Sequence, residues 1–72
     1  MSVPQAPNAR IGLLADRLNR MTGRGYKITL PGPRDDIKAA IEYAQQIDFK
    51  ARFRIERNDP VHDGYFIVER FM

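Results

Sequence analysis

Three side chains able to ligate a metal or move a proton lie close together at Asp59, His62 and Asp63. A histidine between two carboxylates can hold a divalent cation or act in acid–base catalysis. The local sequence argues against a built site. Asn58-Asp59-Pro60 and Asp63-Gly64 are turn formers on either side, and Asp and Asn in such places bond to their own backbone. His62 is the sole histidine and there is no cysteine. These residues therefore read as a solvated turn. Asp35 and Asp36 are a second carboxylate pair. Neighbouring helical residues point about 100° apart, and acidic residues at a helix start are favoured by the dipole alone. Ser2 is the only serine, next to the first proline-containing segment, so no serine nucleophile with a base is expected. Gly23, Gly25 and Gly32 match neither the dinucleotide nor the phosphate-loop pattern. The expectation is a chain with no catalytic residues, no metal and no cofactor, and hence no enzyme.

The residues that remain are arginines. Nine of the twelve cations are arginine, and the net charge is +3. Arginine forks onto carboxylate and phosphate and is enriched at interfaces. The charge alternates in blocks: +5 over residues 1–34, −3 over 35–48, +3 over 49–57 and −2 over 58–72. Arg10, Arg17 and Arg24 recur every seven residues with Arg20 beside them, and Lys50, Arg52 and Arg54 alternate along an extended stretch. Each set can grip an acidic protein surface or neutralise phosphates. Either set can also be a solvated charged face.

Aromatic residues cluster near the end, at Phe49, Phe53, Tyr65, Phe66 and Phe71. Exposed rings on a sheet can stack on bases. The run Gly64–Phe71 is similar to the first ribonucleoprotein motif of RNA-binding domains only in outline. It lacks a basic residue before Gly64 and a small residue between the aromatics. Core packing is the better reading of most of these rings, with Tyr65 or Phe66 as an aromatic anchor for a partner.

Periodicity supplies the elements that position these side chains. Residues 1–8 carry two prolines and no periodicity, and read as a flexible arm. Asn8 is a candidate N-cap. Ile11, Leu14, Ala15, Leu18 and Met21, widened by Leu13, trace a helix over about 9–22, with Gly23 as its terminator. Tyr26, Ile28 and Leu30 alternate with polar residues, which predicts a strand ended by Pro31-Gly32-Pro33. Ile37, Ala40, Ile41, Ala44 and Ile47 predict a second helix over 34–47. Phe49, Ala51, Phe53 and Ile55 alternate with charge, which predicts a strand whose outer face carries Lys50, Arg52 and Arg54. Tyr65–Phe71 is a third strand. Either Tyr65, Ile67 and Phe71 face inward, or Phe66 and Val68 do, together with Arg70.

The expected fold is α+β, ordered α-β-α-β-β, with two helices on one face of a three-stranded mixed sheet. It occupies residues 9–72 as a single domain. A domain of 72 residues without disulfides has a small core, so a homodimer is an open expectation, with the apolar closing strand as its contact. No run approaches the roughly 18–20 apolar residues of a membrane helix. The first residues lack the pattern of an export signal, and cytoplasmic location is the expectation.

These features point to a small non-enzymatic protein that docks on a protein or a protein–nucleic-acid assembly. The docking surface is expected among Arg10, Arg17, Arg20, Arg24, Lys50, Arg52, Arg54, Tyr65 and Phe66. Phage and mobile-element inhibitors or adaptors, anti-CRISPR proteins among them, are similar in size and character alone. The alternative is a small basic DNA- or RNA-binding protein, with a dimer pooling two basic surfaces.

Overall fold

The computed structural model describes residues 6–72. Residues 1–5 of the expected arm lie outside the described residues. Ala6 rests against Gly12, where an added Cβ would meet the Ala6 Cβ at 3.4 Å.

Helix α1 spans Ala9–Asn19. Asn8 caps it: its side-chain oxygen accepts from the Ile11 N–H at 2.9 Å, which satisfies one of the free donors of the first turn. The helix stops three residues before the predicted end. The Met21 N–H turns back to the Leu18 carbonyl at 3.1 Å, a tighter closure that keeps Met21 in the core. Gly23 does not take a positive φ. Gly25 does, at 90°, and makes the turn into β1, Lys27–Pro31. Tyr26, expected inside, is exposed and precedes the strand.

Helix α2 spans Arg34–Ile47, with Pro33 at its N-cap and Asp35 and Asp36 in its first turn. Beyond it the chain folds into a tight turn. The Asp48 side chain accepts from the Lys50 N–H, and the Asp48 carbonyl accepts from the Ala51 N–H. This local bonding competes with strand pairing. Strand β2 is therefore Phe53–Asn58, and Phe49 is 73% exposed. A bulge between Ile55 and Arg57 leaves Glu56 as the extra residue. Strand β3 is Tyr65–Arg70, entered through Gly64 at φ 78°.

The sheet order is β1-β3-β2, and both pairs are antiparallel. The expected mixed sheet is thus corrected to an antiparallel one. The α2 crossover carries the chain past a gap one strand wide, and β3 fills that gap. Strands β1 and β2 run in the same direction without touching. Strand β3 is central and has no free edge, so it cannot offer one to a second copy.

Register fixes the inward set. Ile28 faces Val68, which faces Ile55, and Leu30 faces Phe66. These residues, with Phe53, meet the apolar stripes of both helices in one core. Phe66, Val68 and Arg70 are the inward members of β3. No buried residue among those described is polar or charged.

Arg70 reaches the edge of this core with a side chain only 16% exposed. Its guanidinium donates to the Met21 carbonyl at the exit of α1 and to the Met72 carbonyl. It also lies 3.8 Å from the Asp48 carboxylate at the end of α2 and 6.0 Å from the Phe53 ring. One side chain thereby ties both helix exits to the sheet.

Candidate binding surface

Helix α1 has a second stripe besides its buried one. Arg10, Leu13 and Arg17 are spaced three and four residues apart, and Arg20 follows at the C-cap. That spacing puts them on one side of the helix. Leu13 is 69% exposed. The expectation that it widens the core stripe is corrected: it sits in the polar stripe instead.

An open groove of about 580 Å³ runs beside this stripe. It is lined by Arg10, Leu13, Leu14, Asp16, Arg17, Arg20, Pro31 and Tyr65. Tyr65 stands at the start of β3, opposite Pro31 of β1. The His62 ring lies 5.7 Å from the Tyr65 ring, tilted by 56°, and the Tyr65 N–H donates to the His62 carbonyl. The loop before β3 thus fixes the aromatic wall of the groove.

The three groove arginines differ in what holds them. Arg10 is a strut. Its Nε donates to the Asp36 carboxylate at 2.8 Å, and its Nη2 donates to the Pro31 and Gly32 carbonyls. Arg20 pairs with Asp16 at 3.0 Å, with both partners mostly exposed; such a pair is worth little. Arg17 is exposed and makes no ion pair among the described residues. Arg24 is not on the helix. It lies in the turn before β1, exposed and away from the groove lining.

The second expected basic set does not form one face. Only Arg54 lies on β2. Its guanidinium meets the Glu69 carboxylate at 2.6 Å and lies 5.5 Å from the Phe71 ring. Lys50 is in the turn after α2, 5.9 Å from the Phe49 ring. Arg52 folds back on its own chain, donating to the carbonyls of Phe49 and Ala51. Across the uncovered sheet face, Lys27, Glu69 and Arg54 stand side by side. Lys27 reaches Glu56 at 2.9 Å, so two carboxylates answer two cations there. The Lys27 ammonium, by its hydrogen bond, holds the Glu56 carboxyl below its ordinary value of 4.5.

Phe66, proposed as an anchor, is half-buried and packs against the core. Its ring atom would lie 2.9 Å from a Cβ added at Gly32. Tyr65 is the exposed aromatic of the pair.

The Asp59–Asp63 loop is held by itself. The Asp59 carboxylate accepts from the Val61 N–H at 2.9 Å and lies 3.2 Å from His62 Nδ1. The backbone donor at Val61 is the main reason that its pKa lies below the ordinary 3.8. No group of three potential ligands gathers anywhere among the described residues. No helix among them is long and apolar enough to cross a membrane.

Leu13 is the functional candidate that composition and spacing passed over. Its signal was present. Ile11, Leu14, Ala15 and Leu18 define the buried stripe, and Leu13 falls about 150° around the helix from its centre at 3.6 residues per turn. Comparison of the chain with family models, curated proteins and solved structures found no match.

Proposed function

We propose that this chain is a small non-enzymatic binding protein that docks on an acidic protein surface through the outer face of α1. The observation that carries the reading is Leu13, a large apolar side chain 69% exposed between Arg10 and Arg17. It stands beside a groove walled by Tyr65 and Pro31. An apolar anchor with arginines around it suits a protein interface, where a few buried residues carry most of the energy. Covering a leucine is worth about 1.5–3 kcal/mol. Arg17, which has no ion pair among the described residues, and Arg20, whose pair with Asp16 is exposed, favour carboxylates on the partner and speed the encounter.

The charge arrangement supports a protein partner over nucleic acid alone. Duplex binding needs several cations free to neutralise phosphates. On this chain Arg10, Lys27 and Arg54 already face Asp36, Glu56 and Glu69, and cations without such a pair among the described residues, Arg17, Arg24 and Lys50 included, are dispersed over separate elements. Inhibitor or adaptor roles, including action on a protein–nucleic-acid assembly, fit the same surface.

Two measurements test the class of partner. In the first, labelled mixed-sequence DNA and RNA are titrated with the protein at low salt, and weak or no binding is expected. In the second, the tagged chain is used for affinity capture with and without nuclease. A protein partner retained after nuclease treatment is expected. Tight nucleic-acid binding with a steep salt dependence, or a partner lost on nuclease treatment, would replace this reading with the nucleic-acid one.

A further inference from the structure

The free edge of β2 carries a second surface. The alternation of the β2–β3 ladder shows which backbone groups are left over. The Phe71 N–H donates to the Arg52 carbonyl, so Arg52 directs its peptide groups at the neighbouring strand. Two residues on, Arg54 does the same opposite Glu69. Phe53 and Ile55 then direct theirs outward. The Phe53 N–H is taken by the Gln45 side chain of α2 at 3.2 Å, which confirms its direction. The N–H and C=O of Ile55 face the open edge.

The side chains flanking Ile55 are of opposite sign. Arg54 and Glu56 both stand on the uncovered face of the sheet, where they pair with Glu69 and Lys27. An antiparallel copy of the segment, centred on Ile55, places Arg54 of each chain opposite Glu56 of the other. The same operation points the Ile55 N–H of each chain at the Ile55 C=O of the other. The segment is therefore complementary to itself in both hydrogen bonding and charge, as a two-fold interface requires. Beside this edge lies a groove of about 260 Å³ that a second chain would cover; Ile41, Phe53 and Ile55 form its apolar floor, and Arg34, Lys38, Glu42 and Arg54 line it as well.

We infer that the outer edge of β2 pairs antiparallel with the β2 edge of a second copy about a two-fold axis at Ile55. The result is one continuous six-stranded sheet. This differs from the closing-strand contact expected from sequence, which would use the outer face of β3 and not the edge of β2. It leaves the α1 face free and does not depend on the function proposed for it. Bulges blunt strand edges, and the one after Ile55 confines the pairing to a short segment. The association is accordingly weak, with a dissociation constant on the order of 10–100 μM.

Sedimentation of the intact chain over a concentration series is the test, with charge reversals as its second arm. The unaltered chain is expected to pass from monomer to dimer as concentration rises. Arg54→Glu and Glu56→Arg each set like charges opposite one another and lose about tenfold or more in association. An equimolar mixture of the two variants restores opposite charges at both contacts and recovers the dimer. On the unaltered chain, exchange of the Ile55 amide slows as concentration rises; this readout does not depend on how well the variants fold. A monomer up to about 1 mM, a dimer indifferent to both reversals, a mixture that stays monomeric or an Ile55 amide insensitive to concentration would each overturn the inference.

Discussion

Arg70→Met separates two arginines that look alike in sequence. Arg70 and Arg54 lie on adjacent strands, and both are next to an aromatic ring. The Arg54 side chain is 61% exposed and pairs with Glu69. The Arg70 side chain is 16% exposed and donates to the carbonyls of Met21 and Met72, with Asp48 nearby. Methionine keeps most of the packing volume and removes the guanidinium. At Arg70 this leaves the Met21 carbonyl without its charged donor, and the ring contact with Phe53 is lost. A hydrogen bond from a charged group contributes about 1.5–3 kcal/mol, and a cation over a ring about 0.5–1 kcal/mol. Arg70→Met is therefore expected to cost about 2–4 kcal/mol, a fall in Tm of roughly 10–30 °C for a domain this small. Arg54→Met removes a pair whose arginine is exposed but whose Glu69 carboxylate is 15% exposed; Lys27 remains opposite Glu69, and the expected cost is about 1 kcal/mol. Urea unfolding followed by circular dichroism measures both. Equal costs for the two variants, or an Arg70→Met midpoint within error of the parent, would refute the assignment of Arg70 as the tie between the helix exits and the sheet.

Other outcomes follow from single contacts. Arg10→Lys keeps the charge but not the fork that reaches Asp36, Pro31 and Gly32; it is expected to lower stability by about 1–2 kcal/mol in chemical unfolding. Gly64→Ala meets no steric contact but sits at φ 78°, so the left-handed backbone alone is expected to cost about 1–2 kcal/mol, read as a lower thermal midpoint. Glu56 titrates below its ordinary value in the folded chain because of Lys27. Its contribution is complete above the unfolded pKa and disappears as pH falls through the lower folded one. Glu56→Gln should therefore flatten the acid limb of a stability–pH curve below about pH 4.5 and leave its neutral shape unchanged.

The parts of the fold legible in sequence are those where several local signals agree. Helix α2 matches its predicted span because Pro33, the two aspartates and the Ile37–Ala44 stripe all specify one start and one face. Asn8 is the cap of α1 for the same reason. The start of β2 was not legible. The alternation through Phe49 and Ala51 is real as a pattern, but the Asp48 side chain claims the backbone first. Strand order was not legible either, since a helical crossover between β1 and β2 allows them to touch or to leave room for β3. Alternation on β3 admitted both facings. The inward one includes Arg70 because its guanidinium reaches backbone acceptors at the rim of the core. On the candidate binding surface, arginine spacing put Arg10, Arg17 and Arg20 on one side of α1 but did not show the difference between Arg10, bound to three acceptors, and the exposed Arg17. Extending the alternating pattern beyond β2 gave Lys50 and Arg52 a face that they do not share with Arg54.

The central claim is that the exposed face of α1, with Leu13 at its centre, holds the partner. It is tested most directly by parallel affinity capture with the unaltered chain and with Leu13→Glu, both nuclease-treated and quantified by mass spectrometry. Leu13 is exposed in the free chain, so the substitution is expected to leave the fold intact, which circular dichroism of the variant checks. A glutamate there removes the apolar anchor and opposes an acidic partner, so recovery is expected to fall by about tenfold or more. The same partner recovered in equal amount by both chains would contradict the account.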